Sequence, residues 1–157
     1  MYKHILVPLD GSRAGALALR HARELALKFG SKVSLVRVVS PSRVATAGLA
    51  SPESLAAAEI MFSEAQREDA ANLSLAKAYL AKHRRALETA GVKEAATHGE
   101  VGDAAAVILA YAKKRKADLI VMTTRGRSGI ARAFLGSVAD GLVRSAVAPV
   151  LVIKRQD

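Results

Sequence analysis

VMTTRGRSGIARAFLGS, residues 121–137, decides how this chain is read. It overlaps the end of a run at 118–122 with the composition of a buried strand, and it leads into residues 137–145, which have the pattern of a short helix. A strand, a glycine-bearing loop and a helix N-terminus, in that order, make a place for a phosphate. Gly126, Gly129 and Gly136 let the backbone approach a ligand with its N–H groups turned inward, and the first turn of the helix adds partial positive charge. Arg125 and Arg127 add two full charges to the same loop. The spacing is neither the GxxxxGK of a Walker A loop nor the GxGxxG of a dinucleotide fold, so motif rules alone leave the ligand unnamed.

Upstream, apolar runs and helical patterns alternate. Ile5-Leu6-Val7 ends at Pro8, and Leu9-Asp10-Gly11-Ser12 follows as a turn, with Ser12 the expected N-cap of a first helix. In that helix Ala18, Ala22, Leu25 and Phe29 recur at helical spacing up to a stop at Gly30. Residues 33–39 read as a second strand, β-branched on both faces and therefore covered on both. Residues 40–53 hold Pro41, Gly48 and Pro52, and a loop of that length inside a compact domain is functional or mobile. A helical pattern then runs over 52–90 with Leu73, Leu80 and Leu87 on one stripe. Its first part, 53–62, is less regular, so a mobile loop is expected over about residues 40–60.

A third strand is read at 92–98, followed by Gly102-Asp103 as turn and N-cap of a helix whose Val107, Ile108 and Tyr111 face inward and which ends near Lys116. The fourth strand and the opening loop come next, and 149–153 makes a fifth strand. Strands alternating with helices at this spacing need parallel crossovers, which gives an α/β, doubly wound open sheet in one domain, with helices on both faces. Ligands of such sheets lie outside the carboxyl ends of the strands, where strand order reverses.

The loop resembles that of the universal stress protein family, UspA type, where a glycine, two residues, a glycine, nine residues and then glycine with serine or threonine recur. Gly126, residues 127–135 and Gly136-Ser137 fit, and Thr123 stands where the first glycine would be. KHILVPLDGS at 3–12, LVRVVSP at 35–41, ADLIVMTTRGRSG at 117–129 and APVLVIK at 148–154 resemble the same family in order and spacing, so the resemblance covers nearly the whole chain. It implies five parallel strands in order 3-2-1-4-5 and an adenine nucleotide, ATP or a relative, bound with Mg²⁺ between strands one and four. By the same resemblance Pro8, Asp10 and Val38 line the adenosine part, while Gly126, Gly136 and Ser137 hold ribose and phosphates. Leu9, Met122, Thr123, Arg125, Arg127, Gly129 and Val138 complete the candidate set.

Asp10 has two readings. Its carboxylate accepts from a ribose hydroxyl or helps hold Mg²⁺, or it is an ordinary turn residue before Gly-Ser; the family match favours the first. Thr123 puts a side chain where the family pattern has hydrogen, and weakened or altered nucleotide binding is the expected consequence. Arg125 stands where histidine is common in the family and supplies a permanent cation. His4, His21, His83 and His98 show no metal-ligand spacing and read as surface or packing residues. No general base is identified, so any ATPase activity is expected to be slow or absent. Leu9-Asp10-Gly11-Ser12 also lacks the SGGxDS pattern of an ATP-consuming ligase on a related fold.

The composition sets outer bounds. Of 157 residues, 51% are hydrophobic and only 4% aromatic, which describes Ala, Val, Leu and Ile packed between helices and a sheet. There is no cysteine, and the first residues lack the long apolar run of a signal peptide, so a cytoplasmic, non-membrane protein is expected. The formal charge of +10 favours anionic partners. No aromatic residues interleave with the clusters at 84–85 and 113–116, so nucleic acid is expected to bind only weakly and non-specifically. The fifth strand, 149–153, is a short apolar edge with charge only beyond it, and a homodimer through it is expected. The competing function is a stress protein that binds no nucleotide and acts through protein partners.

Overall fold

Strand and helix alternate from end to end. The computed structural model of the chain describes residues 1–43, 52–124, 136–145 and 147–154. Its elements are β1 (His4–Pro8), α1 (Gly15–Phe29), β2 (Lys32–Val39), α2 (Pro52–Thr89), β3 (Ala95–Val101), α3 (Ala104–Arg115), β4 (Leu119–Thr124), α4 (Ser137–Ser145) and β5 (Val150–Lys154). The five strands form one parallel sheet in the order β3-β2-β1-β4-β5, as the resemblance implies.

Both faces are covered because successive residues of the central strands point to opposite sides, and the runs at 5–7 and 119–122 are apolar throughout. Ile5, Val7 and Leu9 pack with Ala18, Ala22 and Ala26 of α1 and with Leu80 and Leu87 of α2. Leu6, Val36, Ile120 and Met122 pack with Ile108 and Ala112 of α3 and Ala139 and Leu142 of α4. Alanine on the inner faces of α1 and α3 brings those helices close to the sheet. At Gly141, where α4 packs on α3, an added Cβ would make an ordinary contact 3.4 Å from the Cβ of Ala105.

The helix boundaries follow local chemistry. Gly30, at φ +66°, ends α1 and donates its N–H to the carbonyl of Ala26. Asp103 caps α3 by accepting from the N–H of Ala106 at 2.9 Å. Ser12 does not cap α1. The helix begins at Gly15 after Ala14, while the Ser12 N–H donates to Asp10 Oδ1 at 2.9 Å and the buried Ser12 hydroxyl has no partner among the described residues. Asp10 therefore closes an Asx turn with Ser12 before the helix starts.

Two further expectations need correction. The stretch 53–62 is not irregular, because α2 runs unbroken over its 38 residues. It carries no breaker between Pro52 and Gly91, and Ala56, Ala57 and Ala58 supply intrinsic helix propensity where no core lies beneath to impose periodicity. Of the expected mobile loop, residues 44–51 lie outside the described residues. The third strand is shifted toward the C-terminus, from 92–98 to Ala95–Val101. Val92 still belongs to the helix end, its N–H donating to the carbonyl of Leu87 at 3.0 Å, and the ladder to β2 opens only where the carbonyl of Glu94 accepts from Val33.

At the amino ends of the strands His4 is buried, its Nδ1 2.9 Å from the carbonyl oxygen of Arg115 and its Nε2 2.8 Å from the hydroxyl of Ser34. The carbonyl only accepts, so Nδ1 carries the proton and Nε2 accepts from Ser34. Burial, with help from the cations Lys32 and Arg115, pushes the imidazole pKa below its ordinary value and keeps it neutral. The Asp118 carboxylate accepts from the N–H groups of Lys3 and His4, fastening β1 to the start of β4. Of the other histidines, His83 meets the Tyr79 ring edge-on, His98 stacks on Tyr111, and His21 is exposed.

Candidate functional site

The ladder between β1 and β4 runs only through Ile5 with Leu119 and Leu6 with Ile120. Beyond it each strand pairs on its outer side, Pro8 with Val36 of β2 and Met122 with Val152 of β5. The sheet's order reverses here, and at the carboxyl ends of β1 and β4 a cavity of about 330 Å³ opens.

Its walls come from several elements. Pro8, Leu9 and Asp10 leave the end of β1, with Leu9 held by its N–H on the carbonyl of Val36 at 2.7 Å. Val36 and Val38 project from β2 on the same face, two residues apart as strand alternation requires. Met122 and Thr123 close β4, and Gly136, Ser137, Val138 and Ala139 bring in the first turn of α4. Ala104 and Ile108, one turn apart on α3, form the far wall. The lining is mostly aliphatic, with the carboxylate of Asp10 and the hydroxyls of Thr123 and Ser137 as its polar side chains. That is the usual composition of a small-molecule site: apolar walls with a few placed polar groups.

Nine of the candidate residues are thus brought to one cavity: Pro8, Leu9, Asp10, Val38, Met122, Thr123, Gly136, Ser137 and Val138. Arg125, Gly126, Arg127 and Gly129 lie outside the described residues. Val36, Ala104, Ile108 and Ala139 also line the cavity and were not singled out from the sequence. Helical spacing already turned Ile108 inward, but inward meant the core, and nothing local to α3 says that its first turn borders an opening.

Gly136 has φ +82° and immediately precedes α4, while the Ser137 hydroxyl sits at the first helical residue. The first N–H groups of α4 therefore begin at the cavity wall, where partial positive charge favours an anion. Among the described residues there is no group of three or more His, Cys, Asp or Glu side chains able to hold a metal ion. One carboxylate with two hydroxyls fits Mg²⁺ only in the form in which that ion usually arrives, keeping waters and bound largely by phosphate oxygens.

A family model described as the universal stress protein family matches residues 1–154. A universal stress protein of Methanocaldococcus jannaschii is 36% identical over 157 residues, an alignment that covers 99% of this chain and 84% of that protein. The solved structure of UspA from Lactobacillus plantarum is 27% identical with a TM-score of 0.71, over 99% of this chain and 98% of that one. A universal stress protein crystallised in complex with cAMP is 22% identical with a TM-score of 0.68, over 98% of this chain and 97% of that one, a likeness of fold.

Proposed function

We propose that this chain, which belongs to the universal stress protein family, binds an adenine nucleotide, ATP with Mg²⁺, in the crevice between β1 and β4, and that it acts in the stress response as a nucleotide-responsive protein and not as a catalyst. The observation that carries the reading is the cavity of about 330 Å³, in which aliphatic walls from β2, β4 and α3 meet Asp10 on one side and the Gly136-Ser137 turn on the other. The aliphatic part suits a purine ring, Asp10 suits a ribose hydroxyl, and the start of α4 suits a phosphate. The relative whose solved structure holds cAMP shares this fold, which is consistent with the reading. Mg²⁺ enters with the nucleotide, coordinated by phosphate oxygens and water with Asp10 as the protein carboxylate.

Titration calorimetry of the purified protein with ATP and Mg²⁺ tests this, with AMP and cAMP as further arms. Saturable heat for at least one of them is expected. No heat and no thermal protection up to millimolar concentration would overturn the proposal and favour the partner-binding alternative, for which Thr123 in the cavity wall is the specific argument. In the proposed complex hydrolysis is slow or absent, since it would rely on loosely held water.

The proposed assembly is a homodimer through β5, an edge strand of the sheet. Leu151, Val143 and Val147 are large apolar residues left exposed near that edge. Val150 and Val152 instead pack into the core beside α4, so the strand's outward side chain is Leu151. Leu151→Lys is expected to sediment as a monomer at micromolar concentrations at which the wild-type protein is a dimer, and a monomeric wild type refutes the assembly. No helix is long and apolar enough to cross a membrane among the described residues. We place the protein in the cytoplasm, with nucleic-acid contacts limited to weak, salt-sensitive attraction by its charge of +10.

A further inference from the structure

Arg37 precedes Val38 in β2, and strand alternation sends the two side chains to opposite faces of the sheet. Val38 lines the crevice. Arg37 reaches the side covered by α1 and α2, where its guanidinium carbon lies 4.8 Å from the centroid of the Tyr79 ring, a cation–π contact. The same guanidinium also lies close to Gly11. A Cβ built there would lie 2.7 Å from Nη2, 2.9 Å from Cζ and 3.1 Å from Nη1. Three nearly equal distances mean that the planar group lies flat against the turn. Arg37 therefore touches both a ring of α2 and the Asp10-Gly11-Ser12 turn.

Gly11 is required by its φ of +83°, and any side chain there would also have to displace the Arg37 guanidinium. The turn itself is exposed at Gly11, and its backbone is otherwise held by the Leu9 N–H on Val36, the Ser12 N–H on Asp10, and the Gly15 N–H on Ser12. The Tyr79 hydroxyl feels the charges of both Arg37 and Asp10, which places all three in one electrostatic neighbourhood.

We propose that Arg37 is a positioning residue of the nucleotide site: clamped on Tyr79, it presses the 10–12 turn into the one arrangement that directs the Asp10 carboxylate at the crevice. This rests on the reading of the crevice as a nucleotide site. It also makes α2, which supplies no residue to the cavity wall, a support of the site through Tyr79. The guanidinium plane is what the geometry uses, so a lysine at this position supplies charge without the flat surface.

A double-mutant cycle between Arg37 and Asp10 tests the clamp, with ATP and Mg²⁺ affinity read by calorimetry and the fold of each apoprotein by circular dichroism and thermal melting. Arg37→Ala is expected to weaken ATP binding about tenfold, Arg37→Lys nearly as much, and Tyr79→Leu, which keeps the core apolar, by about threefold. In an Asp10→Ala background Arg37→Ala is expected to change the affinity less than about twofold, because the group it positions is gone. A purely structural role moves melting temperature but gives the same fold-change in both backgrounds. That additive outcome, or wild-type affinity in a folded Arg37→Ala or Tyr79→Leu protein, overturns the clamp while leaving the nucleotide reading intact. A wild-type protein that binds no nucleotide removes both.

Discussion

Gly136→Val is expected to bind ATP on the order of a hundredfold more weakly than the wild type, a loss of about 2.7 kcal/mol of binding free energy, and to remain folded. Gly136 lines the crevice immediately before α4, at the point where a phosphate would meet the helix N-terminus. No heavy atom of the described residues lies within 4 Å of where its Cβ would be, so a valine there is expected to extend into space that a ligand would use. The φ of +82° adds strain for a β-branched residue, roughly 1–3 kcal/mol, which a domain of this size can absorb. Gly136→Asn separates the two effects, because asparagine tolerates positive φ better than valine does. It should retain more stability than valine and still lose affinity. Calorimetric titration of the folded variants decides, and wild-type affinity in Gly136→Val would show that the phosphate is not held at this turn.

Much of this geometry was legible because the signals are local. Asp103 caps α3, Gly30 stops α1, and the bounds of α4 at 137–145 follow from the glycine and serine that open it. The strand order could not be read from local signals and came from the family resemblance. What escaped depends on distant neighbours. Residues 99–101, outside the strand read at 92–98, look poor as a strand because Gly99 and Glu100 interrupt any apolar run. In the sheet Gly99 is the point where α2 comes down on β3: an added Cβ would lie 3.2 Å from Lys77 Cγ and 3.3 Å from Leu73 Cδ1. Ser12 has the right residue type for a cap, yet the Asx turn made by Asp10 takes its N–H and α1 begins three residues later. Arg37 reads as an interruption in an apolar strand, and only the register of β1 on β2 reveals that Gly11 is beneath its guanidinium.

Leu80→Ala is expected to destabilise the fold by roughly 3 kcal/mol, lowering the melting temperature by roughly 6–12 °C. Leu80 is completely buried, packed from α2 into the cluster that joins Ile5, Val7, Leu35 and Leu87, and it reaches toward Gly99 of β3. Truncation removes three heavy atoms and leaves a cavity that the sheet beneath cannot readily collapse into, since β1 and β2 are hydrogen-bonded on both sides. The same helix supplies its own control. Phe62 is 58% exposed on the N-terminal part of α2, so Phe62→Ala removes more atoms but little buried surface, and it is expected to stay within about 0.5 kcal/mol of the wild type. Alanine has the higher helix propensity in both substitutions, so a difference between the two variants measures burial and not helix formation. Because α2 carries Tyr79 next to Leu80, Leu80→Ala is also expected to reduce ATP affinity slightly by loosening the support under Arg37. Denaturant titration of both variants checks the expectation. Equal destabilisation by Leu80→Ala and Phe62→Ala would mean that α2 is held to the sheet by something other than the stripe through Leu73, Leu80 and Leu87.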